Sequence, residues 1–100
     1  MFTFINRFTV TGDAVEFERV LGTIGDHMRQ QPGFRSARLY RSSRDPQVYV
    51  ETAEWDDAAA HKKALDADGF RSMMGPLMKL ASAEPGGFDL LVEHAAGAHA

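Results

Sequence analysis

From Phe2 to Val10 the chain alternates. Phe2, Phe4, Phe8 and Val10 fall on one side, and Thr3, Ile5, Arg7 and Thr9 on the other. A period of two predicts a strand with one apolar face. Asn6 is the single polar residue on that face. Thr11-Gly12 ends the strand, and Asp13 with Glu16 three residues on resembles a capping box. Ala14, Phe17, Leu21, Ile24 and Met28 then recur at spacings of 3, 4, 3 and 4. That stripe predicts an amphipathic helix ending near Gln30, stopped by Pro32-Gly33.

Phe34 to Ser42 is rich in strand formers, Ser43 to Pro46 reads as a turn, and Gln47 to Trp55 reads as the return strand of a hairpin. Tyr49, Ala53 and Trp55 share one face of that strand, with Val48 and Val50 on the other. Asp56 is placed to cap a helix over 57–65. Asp68-Gly69 is expected to interrupt it. A second helical stretch follows with Phe70, Met73, Met74, Leu77, Met78 and Leu80, and Gly75-Pro76 is expected to kink it. Glu84-Pro85-Gly86-Gly87 reads as a loop and Phe88 to Glu93 as a last strand. The order is βαββαβ with a broken second helix, an α+β, ferredoxin-like pattern around a four-stranded antiparallel sheet. Helices cover only one face of such a sheet, so an apolar opposite face calls for a second protomer or a ligand.

Composition narrows the picture. At 100 residues, 44% hydrophobic and 25% charged, the chain suits one domain over 1–94, with a tail over 95–100 expected to be disordered. Two domains would each hold about 50 residues, where cores are marginal without staples. Cysteine is absent, which excludes disulfides, thiolate metal sites and Cys nucleophiles. His27, His94 and His99 have no metal-ligand spacing, and no metal is expected. A net charge of −3 and a pI near 5.7 argue against a nucleic-acid partner. No apolar run approaches the roughly 18 residues that span a membrane. The N-terminus has no charged region ahead of an apolar stretch, so no signal peptide is expected and the protein reads as cytoplasmic. Seven Phe, five Met, two Tyr and one Trp are a large payload for so small an interior. They must serve a core, a pocket or a partner surface.

Four local features, taken in order, resemble the antibiotic biosynthesis monooxygenase family. They are Asn6-Arg7 in the first strand, Pro32-Gly33-Phe34 after the first helix, the Ser42 to Val50 hairpin with its Asp45-Pro46, and Glu54-Trp55-Asp56 before the second helix. The resemblance implies a homodimeric α/β barrel with one pocket per protomer, between the inner sheet face and the helices. It implies a monooxygenase without cofactor that oxidises a phenolic, anthrone-type aromatic polyketide to a quinone with O2. Such chemistry needs no metal because the deprotonated phenol itself can pass an electron to O2. The protein binds the planar substrate, stabilises its anion and excludes water.

The resemblance also implies site residues. Asn6 corresponds to a pocket Asn, whose amide can donate to a substrate oxygen; the alternative is a structural Asn bonded to backbone. Trp55 corresponds to the pocket Trp, suited to stacking and to donating its N–H, or it anchors the core. Quinone-forming relatives have an Asn four residues before this Trp, and here Glu51 stands in its place. Residues 51, 53 and 55 share a face, so Glu51 can enter the same pocket, where desolvation raises its pKa and suits it as a general base. The alternative is an ion pair with Arg38 or Arg41. His61 falls near a Tyr of those relatives and can move a proton, or it faces solvent beside Lys62-Lys63. Arg41 can steady an anionic substrate. Tyr40 and Tyr49 read first as sheet packing, and Tyr49 joins Phe4, Met73 and Met74 as a candidate substrate contact. Haem-degrading relatives carry a haem-ligand His and a second Trp in the second helix. Ala64 and Met73-Met74 occupy those places here, so haem is not expected. Two other activities suit the same pocket: an aldol-type polyketide cyclase using Glu51 and His61, and a ligand-binding accessory protein without catalysis.

Overall fold

The computed structural model describes residues 1–98. Four strands and three helices alternate in the order β1 (Phe2–Val10), α1 (Ala14–Met28), β2 (Phe34–Arg41), β3 (Val48–Trp55), α2 (Ala58–Leu65), α3 (Asp68–Met78) and β4 (Ala81–Asp89). The strands form one antiparallel sheet in the order β2-β3-β1-β4. This is the expected α+β, ferredoxin-like fold.

Register decides which side chains meet. Phe2 lies opposite Trp55, Phe4 opposite Ala53, Asn6 opposite Glu51 and Phe8 opposite Tyr49. All eight belong to the face that the helices cover, because alternate residues share a face. α1 lays Phe17, Val20, Leu21, Ile24 and Met28 against it, all buried. Phe8, Phe17 and Tyr49 form an aromatic run, with ring centroids 5.2 and 4.9 Å apart. The α1 cap is as expected: Asp13 accepts from the Glu16 N–H at 2.9 Å.

Several boundaries differ from the sequence expectation. The α2 cap is Asp57, which accepts from the Ala60 N–H at 2.8 Å. Asp56 instead pairs with Arg35 Nε at 2.6 Å, while its N–H donates to the Gly33 carbonyl at 2.8 Å. Gly33 has φ +87°, and a Cβ there would stand 2.6 Å from that of Ala60, so this junction requires glycine. The interruption between α2 and α3 falls at Asp66-Ala67, two residues before Asp68-Gly69. α3 continues through Gly75-Pro76 without a break. The proline sits in the last turn, where it forfeits only one N–H bond.

The largest correction concerns β4. Glu84 to Gly87 is strand, not loop, and residues 90–93 lie outside any strand. β4 is an edge strand, where a proline is tolerated. Gly87 lies under the Phe2 ring, and a Cβ there would come within 2.6 Å of it. Leu90, Leu91 and Val92 are exposed. Of the tail expected over 95–100, positions 99 and 100 lie outside the described residues.

Candidate active site

A cavity opens between the inner sheet face and the three helices, with about 580 Å³ of space unfilled by atoms, its open mouth included. β1 contributes Phe4, Asn6 and Phe8, and β3 contributes Glu51, Ala53 and Trp55. The helices close it with Ile24 and Met28 from α1, His61 and Leu65 from α2, and Phe70 and Met74 from α3. The wall is therefore mostly apolar, with polar groups only at a few places. That is the usual make-up of a site for an apolar small molecule with a defined orientation.

The polar groups are unusual in having so few protein partners. Asn6 is 6% exposed and Trp55 is 1% exposed. Asn6 Oδ1 and Trp55 Nε1 are both buried without a hydrogen-bond partner. Buried polar atoms are nearly always satisfied, so each such exception asks for an explanation. Here both residues line the cavity, and a ligand oxygen and a ligand hydroxyl are the natural complements.

Glu51 sits directly across from Asn6 on the neighbouring strand. Burial pushes its carboxyl up to about 6. The ion pairs among the described residues are Arg7–Glu84, Arg19–Glu16, Arg35–Asp56 and Arg71–Asp66, none of which includes Glu51. Arg38 pairs in register with Thr52 on the opposite face, and Arg41 with Tyr49. The expected alternative of an Arg partner for Glu51 does not occur.

His61 is 8% exposed, not solvent-facing. Its ring packs on Phe4, Phe2 and Trp55, at centroid distances of 4.6, 5.3 and 5.4 Å. Burial lowers its pKa, which keeps the imidazole neutral near pH 7. Trp55 also meets Phe34 edge-on at 5.3 Å, so its ring is held from two sides.

Of the residues singled out from the sequence, the cavity brings together Asn6, Glu51, Trp55, His61, Phe4 and Met74. It does not include Arg41, Tyr49 or Met73. Tyr49 is buried on the α1 side, where its hydroxyl donates to Glu18 Oε2 at 2.6 Å. That bond holds its phenol above the usual range and gives it a packing role. Arg41 is exposed at the end of β2. Met73 packs against the core beside the cavity. Met28 and Leu65 also line the cavity and were not singled out. Their only sequence signal was membership of an apolar stripe, which core residues share. Among the described residues, no three His, Asp or Glu side chains are grouped as metal ligands.

The sequence from residue 1 to 75 matches the model of the antibiotic biosynthesis monooxygenase family. The chain belongs to the antibiotic biosynthesis monooxygenase family. Within this family it is 38% identical over 86 residues to a deoxynogalonate monooxygenase from Streptomyces nogalater, covering 86% of this chain and 73% of that one. Its fold superposes on the crystal structure of SnoaB, a cofactor-independent oxygenase from the same organism, with TM-score 0.90 and 36% identity. That match covers 92% of this chain and 94% of SnoaB. A more distant family structure from Deinococcus radiodurans shares the fold, with TM-score 0.80 and 16% identity over 97% of this chain and 99% of that one. The protein is an enzyme, a monooxygenase.

Proposed function

We propose that this monooxygenase oxidises a phenolic, anthrone-type aromatic polyketide to a quinone, using O2 and no cofactor. The observation that carries the reading is the pair of unpartnered buried polar atoms, Trp55 Nε1 and Asn6 Oδ1, on the wall of an apolar cavity. The similarity to a deoxynogalonate monooxygenase and to a cofactor-independent oxygenase supports it.

The chemistry follows from the substrate. Loss of the phenolic proton to Glu51 or His61 gives an anion delocalised over the rings. The Trp55 N–H stabilises that anion by a fixed hydrogen bond in a water-poor site, and Asn6 Oδ1 accepts from a neutral hydroxyl of the substrate. The anion passes one electron to O2, and the resulting pair combines at the ring methylene to a hydroperoxide. Loss of water leaves the ketone. One methylene and one O2 give one carbonyl and one water, so the substrate supplies all four electrons. His61, neutral and held by three aromatic rings, is suited to exchanging a proton during the loss of water. The active form is proposed to be a cytoplasmic homodimer, with no nucleic-acid partner.

The test is oxygen uptake with a phenolic anthrone in the presence of a strong chelator. We expect one O2 consumed per quinone formed, with one atom of labelled oxygen in the product. Turnover of a poly-β-ketone without oxygen uptake would overturn this reading in favour of an aldol-type cyclase, which Glu51 and His61 would equally serve.

A further inference from the structure

We infer that the slot between α1 and β2 is the entrance of the cavity, and that Gly25 and Ala37 on its two walls set the size of ring system that can enter. This rests on the reading of the ligand as a phenolic polycycle and adds the route by which such a ligand reaches Glu51.

Helix periodicity fixes which side of α1 borders the slot. Glu18, Gly22, Gly25 and Arg29 recur at spacings of 4, 3 and 4, so they share one flank beside the buried stripe. The opposite flank carries His27, whose ring packs against α3, where a Cβ on Gly69 would come within 2.8 Å of it. The Glu18 flank therefore turns away from α3 and towards β3 and β2, and Glu18 duly accepts the Tyr49 hydroxyl. β1 and β2 both run antiparallel to β3, so α1 runs back against the direction of β2. Tyr49 is the register partner of Arg41, which sets Glu18 level with the end of β2. From Glu18 to Gly25 the helix rises about 10 Å, the length of about three strand residues, and this brings Gly25 level with Ala37.

Both walls are bare there. Ala37 and Leu39 belong to the helix-covered face by their register with Ala53 and Glu51, yet Ala37 is exposed and Leu39 is 42% exposed. The helices thus stop short of β2. A Cβ on Gly22 or Gly25 would meet nothing within 4 Å. Glycine inside a helix is destabilising relative to alanine, and packing does not demand it at these positions. Gly25 and Ala37 nevertheless line the cavity. Their small size keeps open the way from solvent to the unpartnered Asn6 Oδ1 and Trp55 Nε1. Leu39, Glu51 and Asn6 lie in one row across the sheet. A ring that enters edge-on past Leu39 therefore meets Glu51 first and Asn6 next.

The experiment uses two phenols of different size, 1,8-dihydroxyanthraquinone and 1-naphthol. Gly25→Leu and Ala37→Leu each add a branched side chain to one wall. Both variants should keep the wild-type urea midpoint or exceed it, because leucine favours a helix more than glycine does and Ala37 is exposed on an edge strand. Association is read by stopped-flow quenching of Trp55, the sole tryptophan. We expect the association rate of the anthraquinone to fall about tenfold or more in each variant, and that of 1-naphthol to change about threefold or less. Wild-type association of the anthraquinone with both variants would overturn the proposal even if affinity fell, because the ligand would then enter elsewhere. Equal slowing of both phenols would also overturn it, since a collapsed cavity has that signature and a narrowed slot does not. A wild-type protein that binds neither compound would overturn it together with the polycycle reading. Size-dependent slowing without oxygen uptake on an anthrone supports the entrance and overturns the oxygenase reading. Oxygen uptake without size-dependent slowing overturns the entrance alone.

Discussion

Glu51 is held at a cost. Its carboxyl rises from 4.5 to about 6 because burial penalises the ionised form. Folding is therefore favoured below about pH 4.5, and that advantage is lost as pH rises through about 6. The difference is worth about 2 kcal/mol at pH 8, by the conversion of about 1.4 kcal/mol per unit. Glu51→Gln should accordingly raise stability in urea melts by about 1–2 kcal/mol at pH 8 and leave it unchanged at pH 4. The same variant should lower kcat/KM by about 100-fold and remove a rise in activity centred near pH 6. More stability with less activity would mark Glu51 as a working residue, since sites are where proteins accept such costs. Trp55→Phe keeps a ring in the cavity wall but removes the N–H. It should lower kcat by about 100-fold with little change in urea midpoint. In the sequence Asn6 stands out as the one polar residue on an apolar face, whereas Trp55 and Glu51 are marked by the family resemblance, Glu51 as a departure from it. The sequence could not separate Met74 from Met73, or Tyr49 from the cavity residues. Those depend on how far each helix reaches over the sheet, and period alone does not encode that.

At the scale of elements, local chemistry located the helices and long-range pairing corrected their ends. Asp56 and Asp57 are both good cap residues, and only the structure shows which one bonds the helix. Asp57→Ala should cost about 1 kcal/mol, as loss of a cap does. Asp56→Ala removes an exposed ion pair with Arg35 and should cost about half of that or less. Equal losses in thermal melts would put the cap assignment in error. β4 was illegible for a related reason. Pro85-Gly86-Gly87 carries turn chemistry, and its strand conformation comes from pairing with β1, where Asn6 meets Pro85 and Phe4 meets Gly87. Strand preference is a matter of context at such places. The glycine at 87 gives the Phe2 ring room to lie over the backbone, and that ring in turn packs on His61. An apparent loop in the sequence thus helps to shape the wall behind the candidate site.

The whole molecule is a sheet with helices on one face. The other face carries Ile5, Val48 and Val50 at its centre, all half-buried by their neighbours. Tyr40 and Phe88 flank them and are exposed. The charges on this face are mixed in sign: Arg7 bonds Glu84 at 3.2 Å, and Arg38 and Glu54 lie on adjacent strands. A surface that is apolar in the middle and self-neutralising at its edges suits a second copy of itself, related by a two-fold axis. In a two-fold contact any change is made twice. Val50→Lys would place two ammonium groups in one contact, while Val50 points away from the cavity that its neighbour Glu51 lines. Sedimentation velocity should then show a dimer for the wild-type protein and a monomer for Val50→Lys at the same micromolar concentration. The monomer should still bind 1,8-dihydroxyanthraquinone, because Val50 lies on the sheet face opposite the cavity. A wild-type protein that sediments as a monomer throughout that range would remove the dimer from the proposed function and leave the cavity assignment intact.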